Sequence, residues 1–350
     1  MENEKTFYKH SIALLAVFVF GNIIISFPKG EGRHQGFWGY LACFAVSVAF
    51  SWLYAYLHSK KVFNLESINC KALKNAFIIS FIIFAALCYF ICCKDYVDLI
   101  DEVRLPQTSA IIIAVIFIAL TALIASLNKK IIYLFAVPAI IFLSLVTVIT
   151  FILSIPNFNL KLLINNLNFN FGDFAKQGLT FFIHSFGQII IFAFFLGNRQ
   201  YKTAKKIHLY GVFLGCILLL VCLLNVVLVL GTTVIDSFDY PYATVTGIIM
   251  LGKAYSRMDG LTYYIYFICS LIKASVILGV ILSFCGQLNE KLKKAAAVAV
   301  PLLSVIFASS KFLNSVLQSK PVNFVILIFE IAFPVILTVI AVKKPKSAAA

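Results

Sequence analysis

The sequence predicts an all-α polytopic membrane protein of about ten transmembrane helices, built as a 5+5 inverted repeat with its first and sixth helices broken. Three observations predict it. The 350-residue chain is 62% hydrophobic and 12% charged, against about 45–50% apolar and about 25% charged in soluble domains. Ten apolar runs each approach the roughly 20 residues that cross a bilayer as a helix. A glycine followed by a side-chain amide interrupts the first run as "FGNIII", Phe20–Ile25, and the sixth as "FGQIII", Phe186–Ile191.

The runs cover about 10–28, 37–58, 76–93, 109–127, 131–154, 179–197, 208–231, 258–286, 295–312 and 322–342. The first is too long for a signal peptide and lacks a cleavage site, so it is read as a span. Pro138, Pro301 and Pro334 fall inside runs and are expected to kink them. The whole is a single transmembrane domain, 1–345, with repeat one at about 10–154, repeat two at about 179–342, and a tail at 346–350.

Charge orients the spans. With the N-terminus in the cytoplasm, 18 of the 29 Lys and Arg residues fall in cytoplasmic segments and ten in outer ones, with Lys273 inside a span. That is the positive-inside bias, with both termini cytoplasmic. The net charge of +15 is therefore a topology signal, and nucleic acid is not an expected partner.

The outer connections are read next. "CKDYVDLIDEVR" places Asp95, Asp98, Asp101 and Glu102 in a solvated amphipathic loop or a surface that meets a ligand or partner. Residues 156–178 alternate Asn with Leu and Phe, as an interfacial segment does. Residues 236–260 are expected to form a short surface helix between spans 7 and 8. Eight cysteines lie in apolar runs as small buried hydrophobes, and Cys70 lies in a polar connection. Without a CxxC, and with five histidines, no metal site or cofactor is expected. No nucleotide-binding, zinc-protease or serine-hydrolase motif occurs, so an enzyme is not expected.

What remains is polarity at membrane depth. Gly21 with Asn22, and Gly187 with Gln188, fall near the middle of spans 1 and 6. Glycine weakens a helix by about 1 kcal/mol and an unpaired amide in hydrocarbon costs more. In transporters of inverted repeats, the first helix of each half breaks at mid-membrane and its freed backbone groups bind substrate. The alternative is close helix packing at glycine. Lys273 in span 8 and Glu330 in span 10 also lie deep, where a charge costs about 2.5–3.5 kcal/mol on insertion scales. Lys273 either stands in for a coupling cation, binds a substrate carboxylate, or pairs with Glu330. His184 is either a proton relay or a structural histidine.

Several words in order carry a resemblance: "GNIIISFP", "GFWGYL", "FGQ", "VLVLG", "YPYATVTGI" and "YSRMDGLTYYIYFICSLIKAS". Together they resemble the B-subunit family of spore germinant receptors, within the amino acid–polyamine–organocation transporter superfamily. The resemblance spans nearly the whole chain and is sharpest over 241–275. It implies a transporter-like fold in the spore inner membrane and assembly with a receptor A subunit and a lipoprotein C subunit. It also implies sensing of a small nutrient, such as an amino acid, between spans 1 and 6. The ligand site is expected at Gly21, Asn22, Ile25, Ser26, Ser185, Phe186, Gly187 and Gln188, with Lys273, Glu330 and His184 as secondary polar residues. Where the family commonly carries Glu after the span 6 glycine, this chain has Gln188, an amide that exchanges no proton at neutral pH. The alternatives are a secondary transporter of amino acids or related small solutes, and an assembly subunit that binds no ligand.

Overall fold

A computed structural model describes residues 2–21, 36–63, 65, 68, 70–101, 108–127, 129–165, 171–235, 237–238, 240–249, 259–310, 316 and 319–343. Fourteen α-helices are described: α1 (Glu2–Phe20), α2 (Gly36–Ser59), α3 (Lys71–Leu99), α4 (Ala110–Ser126), α5 (Lys129–Ser154), α6 (Leu160–Asn165), α7 (Phe171–Phe181), α8 (Ile189–Leu196), α9 (Tyr201–Leu230), α10 (Thr232–Ile235), α11 (Pro241–Ile248), α12 (Asp259–Leu288), α13 (Glu290–Ser309) and α14 (Lys320–Lys343). A π-helical turn, Phe182–Phe186, joins α7 to α8.

Eight helical stretches are long and apolar enough to cross a membrane, and two shorter apolar ones lie at Thr6–Phe20 and Ala110–Ser126. Over its described residues, each of the ten apolar runs is thus largely helical. Only helices satisfy every backbone group within hydrocarbon when the sequence offers long apolar runs. Apolar side chains such as Ile112 and Ile116 on α4, Leu302 and Ile306 on α13, and Ile328 and Val335 on α14 are exposed. An apolar belt of this extent is tolerable only against lipid, and the chain is an all-α polytopic membrane protein.

The helix α1 is the buried axis. Every described residue from Ala13 to Gly21 is buried, and α1 packs against α5, α8, α9 and α12. Two glycines one turn apart on α9 let it approach. A Cβ on Gly211 would stand 2.8 Å from Leu15 Cβ, and one on Gly215 would stand 2.8 Å from the Ala16 carbonyl oxygen. This is the small-residue spacing by which membrane helices dock closely. A similar crossing joins α2 to α7, where a Cβ on Gly39 would meet the Gly178 nitrogen at 2.7 Å.

Two expectations about the connections change. The acidic stretch after Cys93, whose Glu102 lies outside the described residues, is not a solvated loop as far as Leu99: α3 continues to that residue, and Lys94 is buried. Its ammonium pairs with Asp98 at 2.5 Å and donates to the Ala308 carbonyl at 2.9 Å. An i,i+4 pair plus a carbonyl offsets the cost of burying that lysine. The short helix expected between spans 7 and 8 exists as α11, but it is not on the surface. Pro241, Tyr242, Ala243, Val245 and Thr246 are buried, against α5, α9 and α12. Over 156–178, α6 and the start of α7 are helical, with Leu160 and Phe171 exposed. Cys70 is exposed and the other eight cysteines are buried, as expected.

Candidate functional site

The first expected break lies at the described end of α1, and the residues after Gly21 that would form it are outside the described residues. At that end Gly21 donates its N–H to the Val17 carbonyl at 2.9 Å. Asn22, Ile25 and Ser26 lie outside the described residues, so their part of the site is not described. Gly21 itself faces α12: a Cβ there would stand 3.1 Å from Lys273 Cδ and 3.4 Å from the Cys269 carbonyl oxygen. Glycine here lets the lysine stem approach closely, and no left-handed backbone is involved.

The second expected break is a π-helical turn. Gly187 N–H donates to the Phe182 carbonyl, five residues back, at 2.8 Å. Widening the turn releases carbonyls from the ordinary i−4 ladder. The Gln188 side-chain amide takes one of them, donating Nε2–H to the Ile183 carbonyl at 2.9 Å. The Lys273 ammonium takes another, donating to the His184 carbonyl at 2.9 Å. His184 thus enters the site through its main chain. Ser185 lies on the same turn, and Phe186 is buried with its ring 6.1 Å from that of Tyr40.

Lys273 therefore sits at the carbonyl end of a half-helix, beside the last turn of α1, with its ammonium 5.3 Å from the Phe18 ring centroid. Helix C-termini and aromatic faces both favour a cation. This is how a fully buried lysine is held without a carboxylate.

Glu330 occupies the opposite side of the break. A Cβ on Gly187 would stand 2.1 Å from Glu330 Cδ, so the carboxyl group fills the space that the glycine leaves open. It lies next to the start of α8, where the helix dipole favours an anion. Glu330 is fully buried and neither oxygen has a hydrogen-bond partner. Lys273 and Glu330 do not form a pair. The π-turn holds the cation at its carbonyls and the acid at the amide end of the next helix.

Other polar groups were not singled out by sequence. Thr262, Tyr266, Ser270 and Lys273 recur at spacings of four, four and three, which places them along one face of α12. All four are fully buried, and the hydroxyl oxygens of the first three have no partner. Asn225 on α9, which packs against α5 and α11, adds a buried side-chain amide with no partner. Tyr242 on α11 and Thr150 on α5 bond each other at 2.9 Å. Buried unpartnered groups at this density are rare in native interiors and mark places where water or ligand completes the bonding. The helical spacing was a usable signal for the α12 face.

Among the described residues, no group of three or more His, Cys, Asp or Glu is placed to hold a metal. No curated protein matches the chain. The family described as "spore germination protein", a permease-like family, matches residues 8–318. That match covers most of the chain, and the chain belongs to the spore germination protein family.

Proposed function

We propose that this chain is the membrane subunit of a nutrient-germinant receptor, and that it senses a small zwitterion such as an amino acid at the Gly21 and Gly187 breaks. One observation carries this reading: the Glu330 carboxyl group is fully buried against Gly187 without a partner. An unpaired carboxylate in hydrocarbon costs several kcal/mol, and a ligand amine is the natural group to balance it. The N-terminal end of α8, where the helix dipole is positive, suits the ligand's carboxylate. The acid that the family commonly carries after the span 6 glycine is absent at Gln188, and Glu330 supplies a carboxyl group beside that position from α14.

In this reading the helices form two inverted repeats of five in the spore inner membrane, with both termini cytoplasmic. The A subunit and the lipoprotein C subunit dock on the assembled bundle. The chain is a receptor subunit and not an enzyme. Thermal melting of the purified chain across the amino acids tests it. The expected result is stabilisation by a subset, lost in Glu330→Gln, since a ligand that binds only the folded state raises its stability. No stabilisation by any amino acid rejects the reading.

A secondary transporter is the second reading, favoured by the buried polar groups along α12. Uptake into liposomes by the chain alone supports it, and stabilisation without flux leaves the sensor.

A further inference from the structure

A cavity of about 1010 Å³ opens at the end of the bundle that the charge bias assigns to the cytoplasm. It lies away from the Gly187 break, between the N-terminal end of α1, the start of α5, the end of α8 and the start of α9. Five cationic side chains line it: Lys129, Lys130, Arg199, Lys202 and Lys206. No Asp or Glu is among the described residues of its wall. Positive-inside topology asks only that cations be on this side; it does not ask that five of them, from α5, α9 and the connection before α9, surround one concavity.

Three details favour a bound anion over a solvated surface. Long helices α5 and α9 both begin here, with lysines and no acid in their first turns. A cation there opposes the helix dipole, and an anion in the cavity reverses the sign of that interaction. Two cations are held in place by rings: the Arg199 guanidinium is 4.2 Å from the Phe7 ring centroid, and Lys129 Nζ is 4.9 Å from that of Phe195. Stacking fixes the guanidinium plane and leaves its edge for bidentate contact with oxygens. On the same wall, Asn198 has a buried side-chain oxygen with no partner, an acceptor for a hydroxyl on the ligand.

We infer that this cavity is a binding site for a phosphate-bearing anion. Basic pockets between membrane helices on the cytoplasmic side suit phospholipid headgroups, and a soluble phosphate offers the same oxygens. Because Thr6, Phe7 and Tyr8 of α1 and Phe195 and Leu196 of α8 line it, the anion ties together the far ends of the two helices that stop at Gly21 and start after Gly187. Occupancy therefore steadies the break from below.

The test uses the full chain in phosphatidylcholine nanodiscs, with thermal melting as the readout. One arm adds phosphatidylglycerol to the discs, and the other titrates inorganic phosphate at constant ionic strength. Stabilisation in the first arm alone assigns a lipid headgroup, and stabilisation in the second assigns a soluble phosphate. In either case Arg199→Gln/Lys202→Gln weakens the effect by about fivefold per cation removed, the increment of a basic group near an anionic surface. Lys60→Gln/Lys61→Gln, cations outside the cavity, leaves it unchanged. Melting in phosphatidylcholine alone shows whether a variant folds, and Lys129→Gln/Lys206→Gln gives the same reading if the first pair does not. Absence of stabilisation in both arms, or equal loss in the cavity and control variants, overturns the site.

Discussion

The carboxyl group of Glu330 on α14 lies against the α-carbon of Gly187, so closely that a Cβ at residue 187 would overlap Glu330 Cδ at 2.1 Å. The glycine after the π-turn is thus the seat of a buried acid. Gly187→Ala forces that acid or the turn to move. Overpacking of this kind costs about 1–3 kcal/mol, and stabilisation by the ligand is expected to disappear. Melting curves with and without ligand check both effects. An alanine variant that melts and binds like the wild type shows that Glu330 does not sit there.

Glu330→Gln keeps the shape and removes the ionisable group. Because neither carboxyl oxygen has a partner, the variant loses no hydrogen bond. Replacing an unpaired buried charge by a neutral group is neutral or stabilising for the unliganded protein. The ligand amine loses its counter-charge, so ligand stabilisation is expected to vanish while basal stability holds or rises. A variant that loses basal stability and keeps its ligand response indicates a purely structural acid.

Lys273→Met tests the other side of the break. The lysine is the donor for the freed His184 carbonyl, and methionine fills the stem but cannot donate. A buried acceptor left without its donor costs about 1–3 kcal/mol, so basal stability falls, in contrast to Glu330→Gln. The contrast between the two variants is the signature of a lysine satisfied by a main-chain carbonyl and an acid left without a partner. Equal destabilisation by both points to a coupled pair.

Helix existence is legible in this sequence because hydrocarbon leaves the backbone little alternative to helix over long apolar runs. The irregular turn before Gly187 is legible for the converse reason: glycine and a side-chain amide are costly there without a use. What faces each break is not legible. The run "VILIFEIAFPVIL" of α14 is apolar on all sides, so its period does not say which way Glu330 points. The partner of Lys273 is a main-chain oxygen, which side-chain spacing does not reveal. The span 6 break is a π-turn, because Gln188 satisfies the Ile183 carbonyl from its own side chain. The stretch after Cys93 misleads because its charges suit a loop, while Lys94, Asp98 and the Ala308 carbonyl satisfy one another within packed helices.

Gln188→Glu restores the acid that the resemblance leads one to expect, and the geometry predicts that it is harmful here. The Gln188 amide donates to the Ile183 carbonyl at 2.9 Å, whereas an ionised carboxylate only accepts. Two acceptors then face each other across the turn. The new charge also stands one residue from the glycine that carries Glu330, and like charges at such range disfavour both. The expected cost is about 1–3 kcal/mol for the unsatisfied carbonyl alone, with loss of ligand response. Adding Glu330→Gln removes the repulsion and is expected to recover part of the stability, leaving the lost amide as the remainder. A double-mutant cycle on melting measures the coupling. A coupling of zero places the carboxyl groups too far apart to interact and refutes the proposal that Glu330 stands in for the acid missing at 188.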